Sequence, residues 1–190
     1  MNKKEIITYL QSVVAIPMLA ITIPLTGIPS FSSLTVFNNN TTEENSVIIT
    51  QEEVARKEKA EAIDTYFSKY DAPLKGYGMK FVIEAEKNGI DWRLLPAIAM
   101  RESTGGKQAC KSVPNSVFGW GSCKISFKSI DESIEIVAKN LGGNNPNTDH
   151  HYEGKTTEQI LRKYNSVIPN YPKEVVRIMR MIQADTEEKI

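Results

Sequence analysis

Leu94-Leu95-Pro96-Ala97-Ile98-Ala99-Met100-Arg101-Glu102-Ser103-Thr104-Gly105-Gly106 is the stretch on which the reading of this chain turns. It is an apolar segment of helical length with one carboxylate near its end and a glycine pair behind it. On a helix, Glu102 shares a face with Leu95, Ile98 and Ala99, because residues three, four and seven apart stack on one side. A carboxyl on an apolar face loses hydration, which favours its neutral form and suits it to donate a proton near neutral pH. The same spacing fits a solvated helix-end glutamate equally well.

Outward from this stretch the chain reads as a run of helices. Thr50-Gln51-Glu52-Glu53 is a capping box opening a helix to about Tyr70, with Ile63, Tyr66, Phe67 and Tyr70 inward and a charged first half. A second helix spans about Tyr77 to Lys87, with Phe81, Val82 and Ala85 inward and Asn88-Gly89 as its stop. Asp91 is placed to cap the central helix from Trp92 to Ser103, and Pro96 falls in its first turn, where the missing amide proton bends the start rather than abolishing it. Ser129-Ile130-Asp131-Glu132 is a second capping box, opening a helix with Ile134, Val137, Ala138 and Leu141 on one side. Thr156 and Gln159 cap a short helix to Tyr164, and Tyr171-Pro172 begins the last one, with Val175, Val176, Met179 and Ile182 inward. No alternating strand pattern of useful length competes, so the fold class is mainly α with a small irregular or β insert between Gly106 and Phe127.

The amino terminus reads as an export signal. Lys3 and Lys4 precede Ile6 to Thr42, which carries no charged residue and is most apolar from Val13 to Leu25. A basic start followed by such a segment is a secretory signal, or an uncleaved anchor, since Ile6 to Ile28 is long enough to span a bilayer. A linker rich in Ser, Thr and Asn follows. The 23 basic and 23 acidic side chains cancel, and no nucleic-acid module is present, so neither a nucleic acid nor a strongly anionic surface is implied as partner.

The helix ending in Glu102-Ser103, then Gly105-Gly106, Asn115-Ser116-Val117-Phe118-Gly119-Trp120-Gly121 and Tyr164-Asn165, together resemble the lysozyme-like superfamily. Bacterial lytic transglycosylases and endo-β-N-acetylglucosaminidases are the members it looks most like, over roughly Ala72 to Ile182. The resemblance implies a lysozyme-like helical domain that cleaves the β-1,4 bond between the N-acetylated amino sugars of peptidoglycan strands. Glu102 is then the general acid and no cofactor or metal is needed. The organisation expected is a signal peptide or membrane anchor over 1–29, a linker over 30–49, an N-terminal helix over 50–71, the catalytic domain over 72–184 and a tail over 185–190. The protein is expected to be secreted or tethered to the cell surface.

Candidate substrate-binding residues are Ser103, Asn115, Phe118, Trp120 and Tyr164. Flat aromatic faces match a pyranose ring, and Phe118-Gly119-Trp120-Gly121 alternates them with glycines that let a backbone approach a ligand. Phe118 and Trp120 also fit core packing, Ser103 a helix end, Tyr164 a half-buried aromatic, and Asn115 an ordinary turn after Pro114. Val117, inserted before Phe118, departs from the family spacing at Asn115. Cys110 and Cys123 bracket the loop. In an exported protein a disulfide is the favoured reading, and a closed loop of that size stabilises by about 3 kcal/mol.

Glycoside hydrolysis usually needs a second carboxylate, and Glu132, Asp149 and Glu153 are the candidates. Glu132 also reads as a cap residue, and the other two as members of a polar loop. Without a clear partner the balance leans toward a transglycosylase or substrate-assisted route. The adjacent His150 and His151 point apart in an extended loop and make a poor metal site. The alternative class is a non-catalytic peptidoglycan-binding module, or a structural partner of a cell-wall machine docking through the charged Gln51 to Glu61 helix.

Overall fold

The structure, a computed structural model, describes residues 50–187, with side chains to residue 184; the segments read from sequence as a signal or anchor and as a linker lie outside the described residues. The described residues are helical with no strand, so the mainly α reading holds and the insert is irregular rather than β. The elements are α1 (Gln51–Lys69), α2 (Gly78–Lys87), α3 (Leu94–Ser103), the single turn α4 (Trp120–Cys123), α5 (Ile130–Leu141), α6 (Asp149–Tyr152), α7 (Thr157–Tyr164) and α8 (Tyr171–Glu187). No helix among the described residues is long and apolar enough to cross a membrane.

Alpha-helix α3 is the axis of the fold. Leu94 through Ala99 are all buried, which is what a helix apolar on every side requires. It packs chiefly against α8, with α2 and α5 on other sides. Pro96 is its third residue, where an N–H has no intrahelical acceptor to lose. Its start differs from the expected one. The Asp91 carboxylate accepts the Arg93 amide at 2.9 Å and pairs with the Arg93 guanidinium, so the helix begins at Leu94 rather than Trp92. At the other end Thr104, Gly105 and Gly106 all take positive φ and turn the chain back sharply. Gly105 cannot be replaced without movement, because a Cβ there would lie 2.6 Å from that of Ala72.

The first helix belongs to the same core as the rest. Ile63, Tyr66 and Phe67 are buried in it, whereas Tyr70 is 37% exposed and does not face inward. Helices α1 and α2 approach so closely that a Cβ on Gly78 would sit 2.2 Å from the Ala60 carbonyl oxygen. Asp64 on α1 accepts the Gly76 and Gly78 amides at 2.8 and 3.0 Å, capping α2 from a neighbouring helix rather than from its own sequence. The inward faces read for α2 and α5 are buried as expected, and on α8 Val175, Met179 and Ile182 are buried while Val176 is only partly so. Helix α8 runs on to Glu187, so the boundary drawn at residue 184 falls inside a helix.

Candidate active site

Because α3 is buried all round, its apolar face does not single out Glu102. Position does: Glu102 is its penultimate residue, partly exposed where the helix meets an open cleft of about 590 Å³. Gly119, Trp120, Gly121 and Ser122 line one part of that cleft, and Tyr164, Asn165, Ser166 and Val167 another. Glu102 is the sole carboxylate among its lining residues.

The Tyr171 hydroxyl donates to Glu102 Oε1 at 2.6 Å. Burial, then the hydrogen bond to Glu102, pushes the Tyr171 phenol far above its ordinary range, which favours its protonated, donating form. The other oxygen lies on the Gly119 side, 3.4 Å from where a Cβ on that glycine would stand. A bare backbone with φ +62° therefore faces the acid. Arg101, one residue earlier, points elsewhere: its Nε donates to Glu174 at 2.6 Å and its guanidinium lies 5.8 Å from the Tyr171 ring centre.

Behind the acid runs a series of aromatic rings. Tyr171 stacks on Tyr164 at 5.9 Å and 11°, Tyr164 meets Trp120 at 5.7 Å, and Trp120 meets Tyr152 at 6.4 Å. The Tyr164 hydroxyl donates to the Phe118 carbonyl at 2.6 Å, which ties α7 to the loop. Its phenol is raised too, by burial first and then by the charge of Glu102.

The expected substrate-binding residues divide. Trp120 and Tyr164 line the cleft beside Glu102. Phe118 does not: it is fully buried, edge-on to Phe81, and is a core residue. Ser103 is 2% exposed, with its hydroxyl donating to the Val117 carbonyl (2.6 Å; the Ala99 carbonyl is at 3.0 Å) and accepting the Gly106 amide. It fastens the end of α3 to the loop and does not line the cleft. Asn115, at φ +58°, donates its amide to the Phe127 carbonyl at 2.8 Å, closing the base of the insert, and does not line the cleft.

None of the three proposed second carboxylates lines the Glu102 cleft. Glu132 accepts the Lys128 amide at 2.5 Å and borders a neighbouring opening, with Pro114 and Asn140. Asp149 accepts the amide of His150, and its two neighbouring histidine rings lie 3.8 Å apart on the α6 turn rather than pointing away from each other. Glu153 is exposed at the end of that turn.

Cys110 and Cys123 form a disulfide with their Cα atoms 5.9 Å apart. Cys123 closes the Gly119 to Ser122 wall, where Gly119, Gly121, Ser122 and Cys123 all have φ between 56° and 64°. For Ser122 and Cys123 that conformation costs about 1–2 kcal/mol each, held by what surrounds it. Tyr171, the partner of Glu102, is not among the candidates marked from sequence. Its signal was present: spaced four apart with Val175, it puts a phenol on an inward helix face, and a buried hydroxyl needs a partner. No family model, curated protein or solved structure matches the chain.

Proposed function

We propose that this chain is an exported enzyme of the cell wall that cleaves the β-1,4 bond between N-acetylated amino sugars of peptidoglycan, with Glu102 as general acid. The observation that carries the reading is the hold on that carboxylate. Tyr171 grips Oε1 from behind, while the residue as a whole opens into a cleft bordered by Trp120 and Tyr164.

In the proposed reaction a sugar packs against Trp120, and Glu102 gives its proton to the bridging oxygen as the bond from that oxygen to the anomeric carbon breaks. Tyr171 keeps its hydrogen bond to Oε1 through the transfer and so holds the carboxyl in place. With Glu102 as the sole carboxylate lining the cleft, the reading favours a nucleophile drawn from the substrate. Its own 6-hydroxyl bonds to the anomeric carbon and returns its proton to Glu102, giving a 1,6-anhydro sugar without net consumption of water. The disulfide fits an exported protein and supports the same reading.

Digestion of purified peptidoglycan followed by mass spectrometry of the fragments tests activity, bond and product together. Fragments from the native chain and none from Glu102→Gln are expected. Release that survives the replacement would overturn the assignment. The lack of a second carboxylate also favours a binding module without catalysis, which predicts retention by insoluble peptidoglycan and no fragments from either protein.

A further inference from the structure

Three residues beyond Val167, which lines the cleft, Asn170 borders a second opening of about 640 Å³ formed by α3 and the start of α8. Arg101, Lys173, Glu174, Arg177 and Ile178 complete it, so three cations face one carboxylate. Glu174 is spent on Arg101 at 2.6 Å. Lys173 and Arg177 are exposed and have no acidic partner among the described residues. They lie four apart on α8, where like charges repel, and Lys173 sits in the first turn, where the helix dipole disfavours a cation. Unfavourable charge kept beside a cleft is the arrangement that an incoming anion relieves.

We infer that this groove binds the free carboxylates of the short peptides carried by a cell-wall glycan strand whose sugars occupy the Glu102 cleft. The inference rests on the proposed function of that cleft. Reach supports it, since three residues of chain span at most about 10 Å, within the length of a short peptide leaving a bound sugar. The helix geometry supports it too: consecutive residues on α3 diverge by about 100°, so Glu102 serves the cleft while Arg101 serves the groove. The groove would thus tell peptide-bearing strands from bare ones.

The test compares the native chain with the Lys173→Gln, Arg177→Gln double variant, both positions being exposed and outside the catalytic machinery. Each cleaves intact strands and strands whose peptides have been removed by an amidase. The double variant is expected to lose about three- to tenfold in kcat/KM on intact strands, through KM, with the loss shrinking at high salt and no loss on stripped strands. Equal rates for the two proteins on both strands, or an equal loss on both, overturn the groove and leave Glu102 untouched. A loss that persists after amidase but vanishes once acid has extracted phosphate-bearing polymers assigns the groove to phosphodiesters and overturns the carboxylate reading. If the native chain cleaves neither strand, the cleft reading itself fails and takes this inference with it.

Discussion

On one wall of the cleft, Glu102 emerges from a helix buried on all sides and is gripped by the buried Tyr171, with Tyr164 stacked against it. On the other, Gly119 to Cys123 present a short left-handed turn with no buried side chain of its own, anchored by Tyr164 on the Phe118 carbonyl and by the disulfide at Cys123. The first wall is held by packing, which is cooperative and hard to shift locally. The second is held by backbone conformation and one covalent clip, which can be loosened without unfolding the core. A cleft built this way keeps Glu102 fixed while the turn that faces it can adjust.

The sharpest way to break the comparison is at the acid itself. Glu102→Gln should lower glycan cleavage by about a thousandfold or more, with thermal unfolding nearly unchanged because the amide keeps the shape of the carboxyl. Next come two aromatics one glycine apart. Phe118→Ala should cost about 3–5 kcal/mol in denaturant unfolding, as expected of a ring fully buried beside Phe81. Trp120→Ala should cost markedly less stability and instead raise KM for glycan. Equal stability losses would erase the distinction between a core ring and one that lines the cleft.

Opening the clip comes third. Cys110→Ser with Cys123→Ser should lower stability by up to about 3 kcal/mol and slow cleavage, while far-ultraviolet circular dichroism still shows the helices. Fourth, Gly119→Ala should cost about 1–2 kcal/mol from its left-handed backbone, and its methyl, in ordinary contact with Glu102 Oε2 at 3.4 Å, would narrow access to that oxygen and lower kcat.

A fifth effect is a pH slope on the packed wall. Tyr164 and Tyr171 have phenols raised in the fold, so above about pH 10 the unfolded chain releases protons that the native one keeps. Their contribution to stability is complete below that pH and declines as pH rises, by about 1.4 kcal/mol per pH unit for each group. Tyr171→Phe should flatten the alkaline limb of stability and reduce kcat about tenfold with KM steady, because it removes the donor to Glu102 and keeps the ring. A steady kcat would show that the bond to Oε1 is structural only.

Much of the helical frame was legible because its signals are local. The capping boxes at Thr50–Glu53 and Thr156–Gln159 form as their spacing demands, and the inward faces of α2 and α5 follow from the 3.6-residue period. At Ser129 the local rule reached only half its target: the hydroxyl accepts the Glu132 amide, but the Glu132 carboxylate turns back to Lys128. The short turn α6 carries too few residues to show a period at all. Tyr70 was placed inward by the same period, yet α1 ends there and the surface begins.

By itself, then, the sequence determined the number and amphipathic faces of the main helices, the position of an acid at the end of the most apolar one, and the cysteine pair about the loop. Each depends on residues within a few turns of one another. Only the tertiary structure decided what Glu102 touches, because its partner Tyr171 lies 69 residues away. It also decided that Phe118 enters the core while Trp120 faces the cleft, and that Ser103 and Asn115 fasten the loop rather than line the cleft. Those outcomes turn on which buried polar groups must find partners across the fold, and no local spacing carries that requirement.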